Sequence, residues 1–488
     1  MAHSKKTVKT QNNIKPIALK KQNVFTELPF YAMIGFMFLA YVILHEVMFS
    51  MFGHDDRTLF GHNWWDSYSY QAQMWLNGRV DVDHRAWLEI AQYGDKYFIS
   101  FPPLPSVVML PFVILFGGEF ETPNNLIIAL FGIITACFAY ASLRKINMKA
   151  WIAAFCAMAF VFGSNMLFIT TMGGVWFLAQ MLAILFLMCM IYCAQCNKRT
   201  LAYAMIALAV GCRPFSIVAA IPLFAYFTER DIENGVIAKN SKGFFKYILG
   251  QCKYLIIPFV IGCIYMLYNY VRFDSPFQFG HDYLPEFMYE SVDGQFNVSY
   301  ISSNLYKLLV YFPEITSTGL SFPMFNGFLF YIANPFFLVV IIKVVIDTIK
   351  KRFDLLSIAS MIFMLLSLVF FIEEYNYGNE IFRTLALIST ALAVVLFLVK
   401  FIYDLFVEKK TGTVRIALIV AMYIGLIFTC YHKTLGGWQF GARYTADFLP
   451  LAFFYMLLDK EWKIKWYEYA IAVFAIAFNV YGAIMGQI

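Results

Sequence analysis

Thirteen runs of apolar residues, separated by short polar breaks, set the rhythm of this chain from residues 28–52 to residues 467–485. A helix of roughly 20 residues, rising about 1.5 Å per residue, crosses about 30 Å of hydrocarbon. The pattern therefore predicts an all-α polytopic membrane protein of about 13 transmembrane spans. Two stretches break the rhythm: residues 53–103 and 271–327 mix polar, charged and aromatic residues. They predict two large loops and divide the chain into a basic tail (1–27), a first membrane module holding the first loop (28–270), the second loop (271–327) and a second membrane module (328–488).

Orientation follows from charge. Lys5, Lys6, Lys9, Lys15, Lys20 and Lys21 precede the first run without an acidic residue, and basic residues stay cytoplasmic. The first run is too long, and lacks the small-residue cleavage site, for a removable signal peptide, so an uncleaved first helix with its N-terminus inside is expected. Both large loops then lie outside, as does the C-terminus, while the basic loops at 229–246, 349–354, 407–413 and 459–466 lie inside. A straight count of 13 leaves Arg144, Lys145, Lys198 and Arg199 outside, against the charge rule. They return inside if 104–118 only dips into the membrane and 201–228 is a pair of half-spans broken at Arg213-Pro214. Both schemes remain open at this level.

Composition agrees with the pattern: 61% of residues are hydrophobic and 14% charged, against about 45–50% and about 25% in soluble domains. The net charge of +6 sits in short loops, so topology explains it better than a nucleic-acid partner. Nine cysteines lie within or beside apolar runs and none in the first loop, which implies no disulfide framework. Cys189, Cys193 and Cys196 share a helical face; small residues packing between helices account for them, and no metal or cofactor is assigned.

Candidate chemistry collects in the first loop. Asp55 and Asp56, and then Asp66 behind Trp64-Trp65, are carboxylates at a membrane interface, where partial desolvation raises a pKa and suits the group to accept a proton. The competing reading is a solvated acid paired with Arg57, with the tryptophans as an interfacial belt. From Asp66 a short amphipathic helix carrying Tyr70 is expected to run to Gly78, followed by a turn at Gly94-Asp95-Lys96-Tyr97. Arg213 is an intramembrane cation, costly unless it meets an anion; phosphate suits a guanidinium, and a structural pairing at a helix break is the alternative. Tyr270 and Arg272 end a span, and His281 and Asp282 follow. Aromatics there could hold a sugar or a lipid, or anchor the interface. Gly436-Gly437-Trp438 and Gly441-Ala442-Arg443-Tyr444 form a glycine-rich loop with a second cation, read either as a ligand-binding backbone or as a tight turn with an anchoring arginine.

Taken in order, Asp66 to Arg79, Lys96-Tyr97 before Phe101-Pro102-Pro103-Leu104-Pro105, Arg213-Pro214, Tyr268 to Phe273, and Gly437-Trp438 with Arg443-Tyr444 resemble the GT-C superfamily of polyprenyl-phosphate-sugar-dependent membrane glycosyltransferases, the group of protein O-mannosyltransferases and aminoarabinose transferases. The resemblance implies a GT-C-type helical core in the plasma membrane. It also implies an extracytoplasmic site and single-sugar transfer, with inversion, from a polyprenyl phosphate to a glycan, lipid or protein acceptor. It places the base at Asp66, with Asp55 and Asp56 as runners-up because the familiar Asp-Glu pair is here Asp66-Ser67. Arg213, Arg272, Arg443, Lys96 and Tyr97 would hold the donor phosphate and lipid, and Tyr70, Tyr270, His281, Trp438 and Tyr444 the substrate. A polyprenyl-lipid flippase or transporter, with Arg213 holding a lipid phosphate, is the alternative from another class.

Overall fold

The computed structural model describes residues 24–54, 57–85, 89–237, 241–289, 292–317 and 319–486. Helix α1 (Leu28–Ile43) is entered at Pro29 and prolonged by a π-helical segment to Phe49. Asp66 then opens α2 (Ser67–Leu76). The antiparallel hairpin β1 (Ile90–Tyr93) and β2 (Lys96–Ile99) pairs Gln92 with Tyr97 around Gly94. After α3 (Leu104–Phe116), the chain descends through α4 (Asn124–Lys145), rises through α5 (Ala150–Phe162) and the single turn α6 (Met166–Ile169), and descends again through α7 (Val175–Gln195). Helix α7 is apolar and buried on nearly every side, as befits the centre of a bundle.

Next come α8 (Arg199–Val210), a 3-10 segment at Pro214–Ala219, and α9 (Ala220–Glu233). Helix α10 (Ser241–Gln251) leads into α11 (Ile256–Phe273). The second loop holds α12 (Pro285–Met288), α13 (Ser299–Leu309) and a small hairpin of β3 (Glu314–Thr316) and β4 (Gly319–Ser321). The remaining helices are α14 (Phe330–Ala333), α15 (Phe336–Ile349), α16 (Leu355–Tyr377), α17 (Glu380–Ile402), α18 (Thr413–Tyr431), α19 (Leu449–Leu457) and α20 (Trp466–Met485).

Ion pairs tie one end of the bundle together. Glu27, ahead of α1, meets Arg144 at the end of α4 at 2.6 Å, and Arg199 at the start of α8 meets Asp231 at the end of α9 at 2.5 Å. Lys343 reaches Asp347 and Asp459 at 2.6 and 2.7 Å. At the other end neutral polar groups join segments as well: Asn124 Oδ1 accepts from the Asn63 N–H at 2.7 Å, and the Val175 N–H donates to the Trp65 carbonyl at 2.9 Å.

These contacts decide between the two schemes left open for residues 104–118 and 201–228. Among the described residues eight helices are long and apolar enough to cross a membrane: α1 with its π-helical extension, α4, α7, α10 with α11, α16, α17 with the segment that follows it, α18 and α20. Helix α3 stays on one side, with its Leu104 N–H on the Gly211 carbonyl at 3.2 Å and the Arg85–Glu119 pair, at 2.8 Å, just past its other end. Helices α8 and α9 run out and back, since their outer ends are the two partners of the Arg199–Asp231 bridge and the turn between them meets the start of α3 through Gly211. The turn comes at Pro214, which lacks an N–H and disfavours helical backbone at the preceding residue; Arg213 is accordingly extended, at φ −141° and ψ 109°. Arg144, Lys145, Lys198 and Arg199 thus share the end where α1 begins.

Buried asparagines pin the late loop to both halves of the chain. Asn165 Oδ1 accepts from Asn334 Nδ2 and from the Ala442 N–H, both at 2.9 Å, and Asn479 Nδ2 donates to the Ala333 carbonyl at 3.1 Å. The Arg199–Asp231 pair is also buried. Arg199→Met, which strands Asp231, is expected to lower stability by about 3–5 kcal/mol, read as an earlier unfolding midpoint of the detergent-solubilised protein.

Candidate functional site

A cavity of about 530 Å³ opens at the end away from the ion pairs. The first loop supplies Arg57, Asn63, Trp65 and Glu89, the turn between α8 and α9 supplies Arg213, the second loop His281 and Glu286, and the late loop residues from His432 to Tyr444. Trp176, in the first turn of α7, completes one wall.

Among the described residues Glu89 is the acid of the first loop that faces this space. It stands one residue before β1, so the hairpin fixes its backbone, and its carboxylate accepts the Trp176 indole N–H. Burial pushes the Glu89 carboxyl up to about 7; Glu286 adds to the push, while the Trp176 N–H and the Arg443 charge oppose it. A carboxylate with that value is poised to exchange a proton near neutral pH.

Asp66 does different work. Its Oδ1 accepts the backbone N–H groups of Tyr68 and Ser69 at 3.0 and 3.1 Å, and its Oδ2 accepts Asn124 Nδ2 at 2.8 Å. It is buried and caps α2, and it does not line the cavity, although Asn63 and Trp65 beside it do. Asp66→Ala is expected to cost about 1–2 kcal/mol through the lost cap, and Asp66→Asn less, because the amide oxygen still accepts both N–H groups. Thermal midpoints of the two variants check this ordering. Asp55 and Asp56 lie outside the described residues.

The arginines divide. Arg213 lines the cavity, is held by Asp447 at 2.8 Å, and lies over the Tyr444 ring at 4.5 Å. Arg443 is buried but meets only neutral groups among its described hydrogen bonds: its Nε donates to the Gly436 carbonyl at 3.1 Å, its Nη2 to the same oxygen, and its Nη1 to Gln180 Oε1 at 3.3 Å. Gly436, at φ +117°, makes room for this; a Cβ there would stand 2.9 Å from Arg443 Nε. Its close approach serves the arginine. Arg272 does not line the cavity. It donates to the Ile99 carbonyl at 2.7 Å and to Asn269 Oδ1 at 3.0 Å, fastening the β-hairpin to α11.

The remaining candidates scatter. His281, Trp438 and Tyr444 line the cavity, with Trp438 edge-to-face against Phe325 at its rim. Tyr70 is buried under the Arg85 guanidinium, 3.5 Å from its centroid, with its hydroxyl on the Asp83 backbone. Lys96 is exposed and Tyr97 bonds Val82 through its carbonyl, while Tyr270 points outward from α11; none of the three lines the cavity. His432, which sequence reasoning passed over, does line it. Burial lowers both His281 and His432 to about 4, so both are neutral. His281 Nδ1 is 3.3 Å from the Ser100 carbonyl, which makes Nδ1 the donor and leaves Nε2 as an acceptor. Among the described residues no group of three or more His, Cys, Asp or Glu side chains is placed to hold a metal ion.

No protein-family model matches the chain, and no curated protein matches it. Among solved structures it is similar to an oligosaccharyltransferase from Archaeoglobus fulgidus tethered with an acceptor peptide, at TM-score 0.42 and 14% identity over 95% of this chain and 55% of that one. An archaeal oligosaccharyltransferase, AglB, from the same organism in complex with an inhibitory peptide and a dolichol-phosphate gives 0.40 and 15% over 95% and 56%. ArnT from Cupriavidus metallidurans bound to undecaprenyl phosphate gives 0.39 and 13% over 93% and 77%. The chain spans about half the length of the archaeal enzyme.

Proposed function

We propose that this protein is a multi-pass plasma-membrane glycosyltransferase of the GT-C kind, which transfers a single sugar from a polyprenyl phosphate to an extracytoplasmic acceptor. The observation that carries the reading is one cavity that sets a carboxylate with a pKa of about 7 beside a buried arginine whose described partners are all neutral. The side assignment rests on the basic residues at the end where α1 begins, among them Arg144, Arg199 and Lys343, since such residues belong in the cytoplasm.

In the reaction Glu89 takes the proton of an acceptor hydroxyl or amine as that atom attacks C1 of the sugar. The C1–O bond to phosphate breaks, its electron pair leaves with the phosphate, and the configuration at C1 inverts. Arg443, with Arg213 behind it, stabilises the charge growing on the leaving group, where fixed donors in a water-poor site act most strongly. Asp66 holds the start of α2 and, through Trp65, the cavity wall.

Turnover of synthetic polyprenyl-phosphate sugars by wild type, Glu89→Gln and Asp66→Asn tests this. Loss of transfer in Glu89→Gln with lipid binding retained supports the assignment. Loss in a folded Asp66→Asn, with Glu89→Gln active, moves the base to Asp66. A wild type that cleaves no donor but moves lipid phosphate across liposomes is a transporter.

A further inference from the structure

A second polar cavity, of about 600 Å³, opens at the opposite end of the bundle, between the last turns of α4, α7 and α9, the start of α18 and the end of α19. Four cations from four segments line it, Lys145, Arg230, Arg415 and Lys460, against two carboxylates, Glu229 and Glu233. Of the acids, Glu229 is already engaged, accepting the Val414 N–H at 2.7 Å where α18 begins. Arg415 is shared with Asp347 at 3.0 Å.

The other three cations have no carboxylate in ion-pair reach among the described residues. Lys145 lies over the Tyr192 ring at 5.8 Å, and Arg230 donates to the carbonyls of Ala194 and Gln195 at 3.3 and 3.5 Å. A cation at a single helix C-terminus only complements the helix dipole; three of them in one cavity, set against the carboxylates of Glu229 and Glu233, leave a net positive site. Tyr226, Phe454 and Leu457 form an apolar part of its wall, beside the neutral polar Gln195, Asn234 and Thr411. Basic pockets between helices at the cytoplasmic surface take phosphate headgroups.

We infer that this cavity binds a phosphate-bearing ligand, either the headgroup of an anionic lipid or a soluble phosphate. The site is about the length of α7 away from the first cavity, and the inference stands apart from the transferase reading. The test titrates the full-length protein, purified in detergent, with phosphatidylglycerol and with phosphatidylcholine, read by native mass spectrometry. Inorganic pyrophosphate is titrated separately by calorimetry.

Wild type is expected to prefer phosphatidylglycerol if the ligand is a lipid, or to take up pyrophosphate if it is soluble. Lys145→Gln/Arg230→Gln/Lys460→Gln is expected to lose that binding by about tenfold or more. The exposed pair Lys145→Gln/Lys460→Gln, which leaves the packed Arg230 in place, is expected to lose it about threefold or more. Lys350→Gln/Lys351→Gln, neutralised at the same end outside the cavity, should bind as wild type does. Equal uptake of both lipids together with no pyrophosphate binding overturns the inference, as does an equal loss in the Lys350/Lys351 variant or no loss in the other two.

Discussion

Glu89→Gln is expected to lower turnover by about 10²–10⁴-fold, the range that a positioned general base contributes, without loss of donor binding. The substitution keeps the shape and an acceptor for the Trp176 N–H but cannot take a proton. A pH profile makes the test sharper. The base works deprotonated, and burial places its pKa at about 7 instead of 4.5. Wild-type kcat/KM should therefore climb as pH rises toward 7 and level off above it, and the climb should vanish in Glu89→Gln. A profile unchanged by the substitution, or a loss below tenfold, removes Glu89 from the reaction. The same shift bears on stability in the opposite sense. The native state holds this proton more tightly than the unfolded chain, so the contribution of Glu89 falls as pH rises from about 4.5 through about 7.

Arg443→Gln is expected to reduce kcat/KM by about 10²–10³-fold, the cost of removing one oriented donor from a developing anion. The physical case is the contrast with Arg213. Asp447 stands 2.8 Å from Arg213 and compensates its charge, whereas Arg443 is held by the Gly436 carbonyl and the Gln180 amide oxygen, which orient the guanidinium without neutralising it. Gln180 serves both, donating to the Arg443 carbonyl and to Asp447 Oδ1, each at 2.7 Å. Arg443→Lys should recover little, because an ammonium lacks the planar fork that meets two phosphate oxygens at once. The effect should fall on kcat more than on KM, since the charge on the leaving group is largest in the transition state. A variant that raises KM alone would show that Arg443 only binds.

Much of the architecture was legible in the chain itself. Length and apolarity of the runs dictate passes through a membrane, because a backbone in hydrocarbon must satisfy its own hydrogen bonds. The basic tail and loops dictate which ends share a side. Pro214 dictates a break, and Asp66 opens the helix it was expected to open. These are local or additive properties, each decided by a residue and its neighbours along the chain.

Tertiary structure decided the rest. Whether 104–118 and 201–228 cross could not be read from hydropathy, since a short re-entrant helix and a span have similar composition; the Glu27–Arg144 and Arg199–Asp231 pairs settle their sides. Arg213, Arg272 and Arg443 look alike as cations near apolar runs, and only their partners, Asp447, the Ile99 carbonyl and the Gly436 carbonyl, separate them. Glu89 lies in a stretch with no period and no turn signal, so nothing local marks it. What raises it to about 7 is burial against Trp176, 87 residues further on, and a pKa set by desolvation is a property of the folded surroundings, not of the residue.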